Sequence, residues 1–306
     1  MNKSTPVIAN IFITLFVSIS AFFTLSANAE VIHKERSMYR NILVEDAQQL
    51  RCLRFNVKTN KTNQSCFYKN NPQTLVFNYT KLLFSGLLAL EKPPERVLII
   101  GLGGGTMSNT IHLLYPTAIV ENVEIDPVVI KVARKYFGFI ENDHISSKAA
   151  DGRIFIKRAA IKKQNYDWII FDAFNGDYIP EHLLTQEFLQ ESKQLLTQNG
   201  VLTANTFSVS KLYAHESATY KTVFGDFFNV RNDNNGNRVI LATNHSLPRN
   251  KVIDQRATAL HQKLSPFGIN TFDIADWITS TKDNQDWPED TRVLTDQYSP
   301  ANLLNQ

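Results

Sequence analysis

Four short strand-like runs in the middle of the chain each stop at residues able to do chemistry. Val97-Leu98-Ile99-Ile100 leads into Gly101-Leu102-Gly103-Gly104-Gly105, Ala118 to Glu124 ends on a carboxylate, Ile145 to Ala150 is followed by Asp151-Gly152, and Tyr166 to Asp172 ends on another carboxylate. Glycines lacking Cβ atoms let a ligand approach the backbone, and a helix starting after them offers free N–H groups. A carboxylate at Glu124 suits two ribose hydroxyls, and one at Asp151 suits an adenine amino group. Singly, each feature has a plainer reading: a glycine turn for tight packing, a strand-end Asp as a helix cap. In order along the chain, the four supply what a nucleoside needs. The candidate binding residues are therefore Gly101, Gly103, Gly104, Gly105, Glu124, Asp151 and Gly152, with Asp172 opening the loop Ala173 to Pro180.

Gly101-x-Gly103-x-x-Thr106, with an acid about twenty positions on, is also close to the dinucleotide fingerprint. Thr106 occupies the third small position, however, and a dinucleotide site leaves Asp151 without a role. Sites for S-adenosyl compounds use both acids, and that class is preferred.

The elements that must position these residues alternate. Helices are expected from Thr106 to Leu114, from Pro127 (capped by Asp126) to Phe137, from Arg153 to Lys162, and from Leu184 to Thr197 with a stop at Gly200. Val201 to Thr206 reads as a fifth strand. Strands alternating with helices at this spacing predict right-handed βαβ units and a parallel sheet, with ligands beyond the strands' carboxyl ends. Phe227 to Arg231 and Arg238 to Ala242 look like an antiparallel pair finishing the sheet. Upstream, Tyr39 to Val44, Leu50 to Val57 and Ser65 to Tyr68 suggest a small antiparallel sheet, followed by helix-like material from Leu75 to Leu90 and a break at Pro93-Pro94.

With 43% apolar and 20% charged residues, the 306-residue chain can build a packed core, which excludes wholesale disorder. Net charge is only +3, and the densest basic stretch (Lys157, Arg158, Lys162, Lys163) reads as the wet face of a helix, so no nucleic-acid partner is expected. No metal is expected, because the seven histidines are scattered without ligand spacing and each reads as structural or surface. Between Lys3 and Glu30 there is no charged residue, and the apolar run ends in Ala27-Asn28-Ala29, a small-x-small site. Residues 1–29 are read as a signal peptide exporting the chain to the periplasm or medium, the alternative being a membrane anchor. Residues 30–90 then form a β module with a linking helix, and 91–306 the main α/β domain. The two cysteines, Cys52 and Cys66, lie in the β module, either bonded in an oxidising compartment or as buried thiols.

Beyond these local readings, the motifs in order resemble one family. Val97 to Thr106, Val123-Glu124-Ile125-Asp126-Pro127, Ala150-Asp151-Gly152-Arg153 and Tyr166 to Phe174 resemble successive motifs of the spermidine synthases, or polyamine aminopropyltransferases. Ser37 to Ile42 resembles that family's first N-terminal strand, and Leu294 to Leu304 its C-terminal segment. The resemblance implies a class I methyltransferase-like (Rossmann-like) doubly wound sheet behind a small N-terminal β module. It implies transfer of an aminopropyl group from decarboxylated S-adenosylmethionine to an amine of the putrescine type, within a homodimer or homotetramer. By motif, Glu124 holds the ribose, Asp151 the adenine amino group, Gly101 to Gly105 face the sulfonium arm, Asp172 is the catalytic base, and Tyr79, Asn175 and Asp177 are candidates for holding the amine.

The chain departs from the family at two acids: Gly104 stands where the glycine loop carries an aspartate, and Asn175 where a second aspartate follows the catalytic one. Attraction for a diamine dication is correspondingly weaker. The alternatives are a methyltransferase using intact S-adenosylmethionine, for whose carboxylate the missing acid at 104 leaves room, and a non-catalytic exported nucleoside-binding protein.

Overall fold

The computed structural model describes residues 29–55, 63–174, 178–232 and 236–299. The proposed signal segment lies outside the described residues apart from its last residue, Ala29, as do Asn175 and Asp177.

Five strands form the N-terminal antiparallel sheet in chain order: β1 (Glu30–Arg36), β2 (Asn41–Ala47), β3 (Leu50–Phe55), β4 (Asn63–Tyr68) and β5 (Asn71–Leu75). One face of it, built on Ile42, Val44, Leu53 and Phe55, packs on Val129, Val132 and Phe137 of the main domain. Cys52 and Cys66 oppose each other across β3 and β4 and are disulfide-bonded. Two short helices follow, α1 (Asn78–Leu83) and α2 (Gly86–Ala89).

The main domain contains β6 (Arg96–Ile100), α3 (Thr106–Leu114), β7 (Ile119–Glu124), α4 (Pro127–Tyr136), β8 (Ile145–Ala149), α5 (Gly152–Ile161), β9 (Tyr166–Phe171), α6 (Gln186–Lys193) and β10 (Leu196–Phe207). It ends with α7 (Tyr213–Phe224), β11 (Phe228–Val230), β12 (Asn237–Thr243), α8 (Asn250–Leu264), α9 (Thr271–Asp276) and β13 (Ile278–Ser280). The sheet order is β13-β11-β12-β10-β9-β6-β7-β8, parallel from β10 to β8 and antiparallel on the other side. Alternation along β6 and β9 explains why they read as continuous apolar runs. Val97, Ile99, Trp168 and Ile170 bury against one helical layer, while Leu98, Ile100, Ile169 and Phe171 bury against the other.

Three expectations are corrected. The helix expected from Leu75 to Leu90 is the end of β5 followed by two short helices, since the chain turns at Phe84–Ser85 to press Gly86 on Trp168. A Cβ at Gly86 would lie 2.6 Å from the Trp168 indole nitrogen. The helix expected from Leu184 to Thr197 begins only at Gln186, because Thr185 caps it by accepting from the Phe188 N–H, and it ends at Lys193. Leu195 and Leu196 are buried, and Leu196 already pairs with Tyr166, so Gly200 lies at an irregularity within β10 instead of stopping a helix. Finally β1, β5, α7, α8, α9 and β13 were not anticipated.

The disulfide closes a loop with a sequence separation of 14, which in the chain-entropy account stabilises by about 3 kcal/mol. Replacing both cysteines by alanine should lower the unfolding free energy by about that amount in urea titration. An unchanged midpoint, with two thiols open to alkylation in the unfolded wild type, would show that the bond is not made.

Candidate active site

The catalytic edge is set by how closely the first and fourth parallel strands finish. Gly101 donates to the Val123 carbonyl, and Asp172 N–H donates to the Ile100 carbonyl, both at 2.8 Å. Gly101 adopts φ +99°, and a Cβ there would stand 2.3 Å from the Asp172 carbonyl oxygen, so only glycine lets the loop lie against the end of β9. A cavity of about 270 Å³ opens above this edge.

The cavity is lined by Gly101, Gly103, Glu124, Asp151, Gly152 and Asp172 together with Tyr79, so one opening gathers seven of the residues singled out in sequence. Gly104 and Gly105 stand apart from that lining. A side chain at 104 would meet Ser65 Oγ at 2.7 Å and the Phe137 ring at 2.8 Å, and one at 105 would meet Phe139 at 2.4 Å. The place of the family's loop aspartate is thus filled by β4 and by the end of α4.

Each acid is held differently. Glu124 is deeply set, with Oε2 accepting from the Leu102 N–H and Oε1 from the Asp126 N–H, both at 3.1 Å. Burial pushes its carboxyl up, while those amides and the nearby Arg40 charge pull it back. Asp151 caps α5 through Oδ1, 2.9 Å from the Ile154 N–H, and its Oδ2 pairs with His182 Nε2 at 2.9 Å. The capping and binding readings of Asp151 are therefore compatible, since a carboxylate has more than one acceptor site.

Asp172 is the most perturbed. Burial, with the Glu124 charge adding to it, raises its carboxyl from 3.8 to about 7, although Asn205 Nδ2 donates to Oδ1 at 3.0 Å and opposes the rise. Asn205 is itself oriented by Asn237, whose Nδ2 donates to the Asn205 Oδ1 at 3.1 Å. Oδ2 of Asp172 has no partner among the described residues and is free to meet a ligand. Burial, together with the charge of Asp172, keeps the Tyr79 phenol well above its ordinary range, and its hydroxyl reaches the Gln64 carbonyl at 3.5 Å.

Other lining residues were not found from sequence. Tyr39, Arg40, Phe55 and Gln64 come from the N-terminal sheet and close the cavity from above; Phe174 and His182 come from the segments flanking 175–177. His182 is at the surface, as expected of the histidines, and it also lines the cavity beside Asp151. Its place in the segment after Asp172 was the available signal. Arg40 carried none, since a lone cation in a hairpin has no local signature. Among the described residues no group of three or more metal-binding side chains converges.

Comparison with known proteins agrees with this geometry. Residues 76–230 match the model of the spermine/spermidine synthase domain. A polyamine aminopropyltransferase of Vibrio vulnificus is 48% identical over 276 residues, covering 90% of this chain and 91% of the relative. A probable spermidine synthase from Corynebacterium glutamicum superposes with a TM-score of 0.67 at 18% identity, covering 87% of this chain and 97% of its own, which shows the shared fold. Human methyltransferase-like protein 13, solved in complex with SAH, superposes at 0.59 with 28% identity over 62% of this chain and 93% of its own. With the domain match spanning the whole carboxyl edge and the Vibrio relative aligned almost end to end, the chain belongs to the spermine/spermidine synthase family.

Proposed function

We propose that this protein is an aminopropyltransferase that uses decarboxylated S-adenosylmethionine as co-substrate and a small amine as acceptor, with Asp172 as the base. The observation that carries the assignment is Asp172 itself: a half-buried carboxyl raised to about 7, with one oxygen unpartnered among the described residues, in the same cavity as Glu124 and Asp151. Glu124 would accept from the ribose hydroxyls and Asp151 from the adenine amino group, with Gly101, Gly103 and Gly152 against the nucleoside. Tyr79, and by family motif Asn175 and Asp177, would face the amine.

An alkylamine near pKa 10 is mostly protonated at neutral pH and cannot attack until it gives up a proton. Asp172 takes that proton, the amine nitrogen bonds to the carbon beside sulfur, and the carbon–sulfur bond breaks with its electron pair leaving on sulfur as methylthioadenosine. The positive sulfonium stabilises the Asp172 carboxylate when both are present, so binding lowers the very pKa that burial raised. Family membership sets methyl transfer aside, although the SAH complex of the human neighbour is consistent with a nucleoside thioether cavity on this fold.

Export is proposed with the same reading. It is supported by the apolar run ending at Ala29 and by the Cys52–Cys66 bond, which persists in oxidising compartments. Among the described residues no helix is long and apolar enough to cross a membrane. A homodimer or homotetramer through the N-terminal sheet completes the proposal. The mature protein should begin at Glu30 by intact mass, and light scattering should give two or four times that mass. An N-terminus retaining residues 1–29 sinks the cleavage reading, and a monomer sinks the assembly.

Asp172→Asn should reduce aminopropyl transfer by at least about a hundredfold while leaving methylthioadenosine binding intact. With both substrates well below saturation, the wild-type transfer rate should rise with pH through about 7, as Asp172 of the free enzyme loses its proton. The stability sign is opposite. A carboxyl whose folded pKa is raised from 3.8 to about 7 costs stability progressively as pH climbs through that window. Asp172→Asn should therefore melt higher than wild type above pH 7 in calorimetry. Unchanged transfer by this variant would remove Asp172 as the base.

A further inference from the structure

Arg40 is a guanidinium in a cavity that, on the reading above, receives cationic ligands. The backbone that carries it is pinned. Ser37 Oγ accepts from the Tyr39 and Arg40 N–H groups at 3.0 Å and donates to Asp126 Oδ2 at 2.6 Å, tying the β1–β2 turn to the cap of α4. The side chain lies over the Phe55 ring at 4.2 Å, and its Nη1 donates to the Phe174 carbonyl at 3.4 Å, beyond the usual range. Its Nε is buried without a partner, and no carboxylate lies within ion-pair distance of it among the described residues. Glu124 is close enough for its titration to feel the charge, yet both Glu124 oxygens already hold backbone amides.

A guanidinium has five N–H donors, and here one long bond uses one of them. With Nε covered, the terminal Nη edge is what Arg40 can offer to the cavity; it matches a carboxylate, whereas an ammonium or sulfonium at the same place is repelled. The position that would carry a competing acid, 104, is glycine and is walled off by Ser65 and Phe137.

We infer that Arg40 is a carboxylate-binding residue, so that the cavity accepts a ligand carrying a carboxylate beside the Asp172–Phe174 turn. Two sources share that chemistry: a nucleoside whose sulfur arm ends in an amino acid, and an acceptor that is an ω-amino acid instead of a diamine. The inference rests on the nucleoside reading of the cavity proposed above.

Calorimetry on the mature protein with matched probes separates the cases. Methylthioadenosine and S-adenosylhomocysteine differ by the amino acid arm. With methylthioadenosine bound, 1,4-diaminobutane and 4-aminobutyrate differ in one terminal charge. Arg40→Gln should weaken at least one carboxylated probe by about tenfold or more and change its carboxylate-free counterpart by less than about twofold. Arg40→Lys, which keeps the charge but loses the fork, should recover part of that loss. A selective loss of S-adenosylhomocysteine places the carboxylate on the nucleoside, and a selective loss of 4-aminobutyrate places it on the acceptor. Equal weakening within both pairs, no change in either, or a wild type that binds methylthioadenosine but neither carboxylated probe overturns the role of Arg40 alone. A wild type that binds none of the four overturns the nucleoside reading and this inference with it.

Discussion

Withdrawal of carboxylates from water at one edge of a parallel sheet is the constraint on which the rest of this structure depends. Glu124 and Asp172 lie at the ends of β7 and β9, on either side of β6 at the same edge, and the Glu124 charge makes ionisation of Asp172 harder, as the Asp126 charge does for Glu124. Such an arrangement is tolerable only where something offsets it. Two backbone amides do this for Glu124, and one side-chain amide for Asp172. The difference in count explains the difference in role. Glu124 is immobilised as an acceptor with both oxygens fixed, while Asp172 keeps an oxygen unmet and a proton affinity near neutrality.

That environment is not made by the main domain alone. The parallel sheet supplies the floor, but Tyr39, Arg40, Phe55 and Gln64 from the N-terminal sheet form much of the roof. The small sheet is therefore part of the site as well as a neighbour. Its attachment is layered: apolar packing on α4, the Ser37–Asp126 hydrogen bond, and an exposed pair between Lys131 and Glu35 at 2.9 Å that contributes little in water. Ser65, next to the bonded Cys66, touches the space a side chain at 104 would enter, so the disulfide lies beside the glycine loop it helps to back.

What the sequence made legible follows the same physics. β6 and β9 were readable because burial on both faces leaves apolar runs at Val97 to Ile100 and Trp168 to Phe171, whereas β7 and β8, which carry Glu121, Asn122, Ser146, Ser147 and Lys148, were readable from the acids that punctuate their ends. Asp126 was readable as a cap, since capping is local, and it accepts from the Val128 N–H as expected. Leu184 to Gly200 was misread because its apolar residues fit a helix equally well. Thr185 and the pairing of Leu196 with Tyr166 decide the outcome, and the second of these is a contact with another strand. Arg40 was illegible for a related reason, and His182 had only its place after Asp172 to mark it. A single polar residue acquires meaning only from what the fold sets opposite it, here Phe55 and the Phe174 carbonyl for one and Asp151 for the other.

The cavity divides into two halves with different degrees of freedom. At the half proposed to take adenosine, Glu124 and Asp151 also serve the fold, one gathering the amides of Leu102 and Asp126 and the other capping α5. Changing either would disturb a loop or a helix as well as a ligand, so this half is bound to the architecture. At the other half the ties to the fold are weaker, Arg40 having only the Phe55 ring and one long bond to the Phe174 carbonyl. Position 104 is glycine because Ser65 and Phe137 fill its neighbourhood, and Arg40 reaches in from a hairpin whose backbone would be the same with another side chain. On the proposed reading, a fold built this way can keep a nucleoside while the chemistry at the other end of the cavity varies. The physical asymmetry between the halves, and not the fold as such, is what leaves the acceptor end open to a charge pattern of its own.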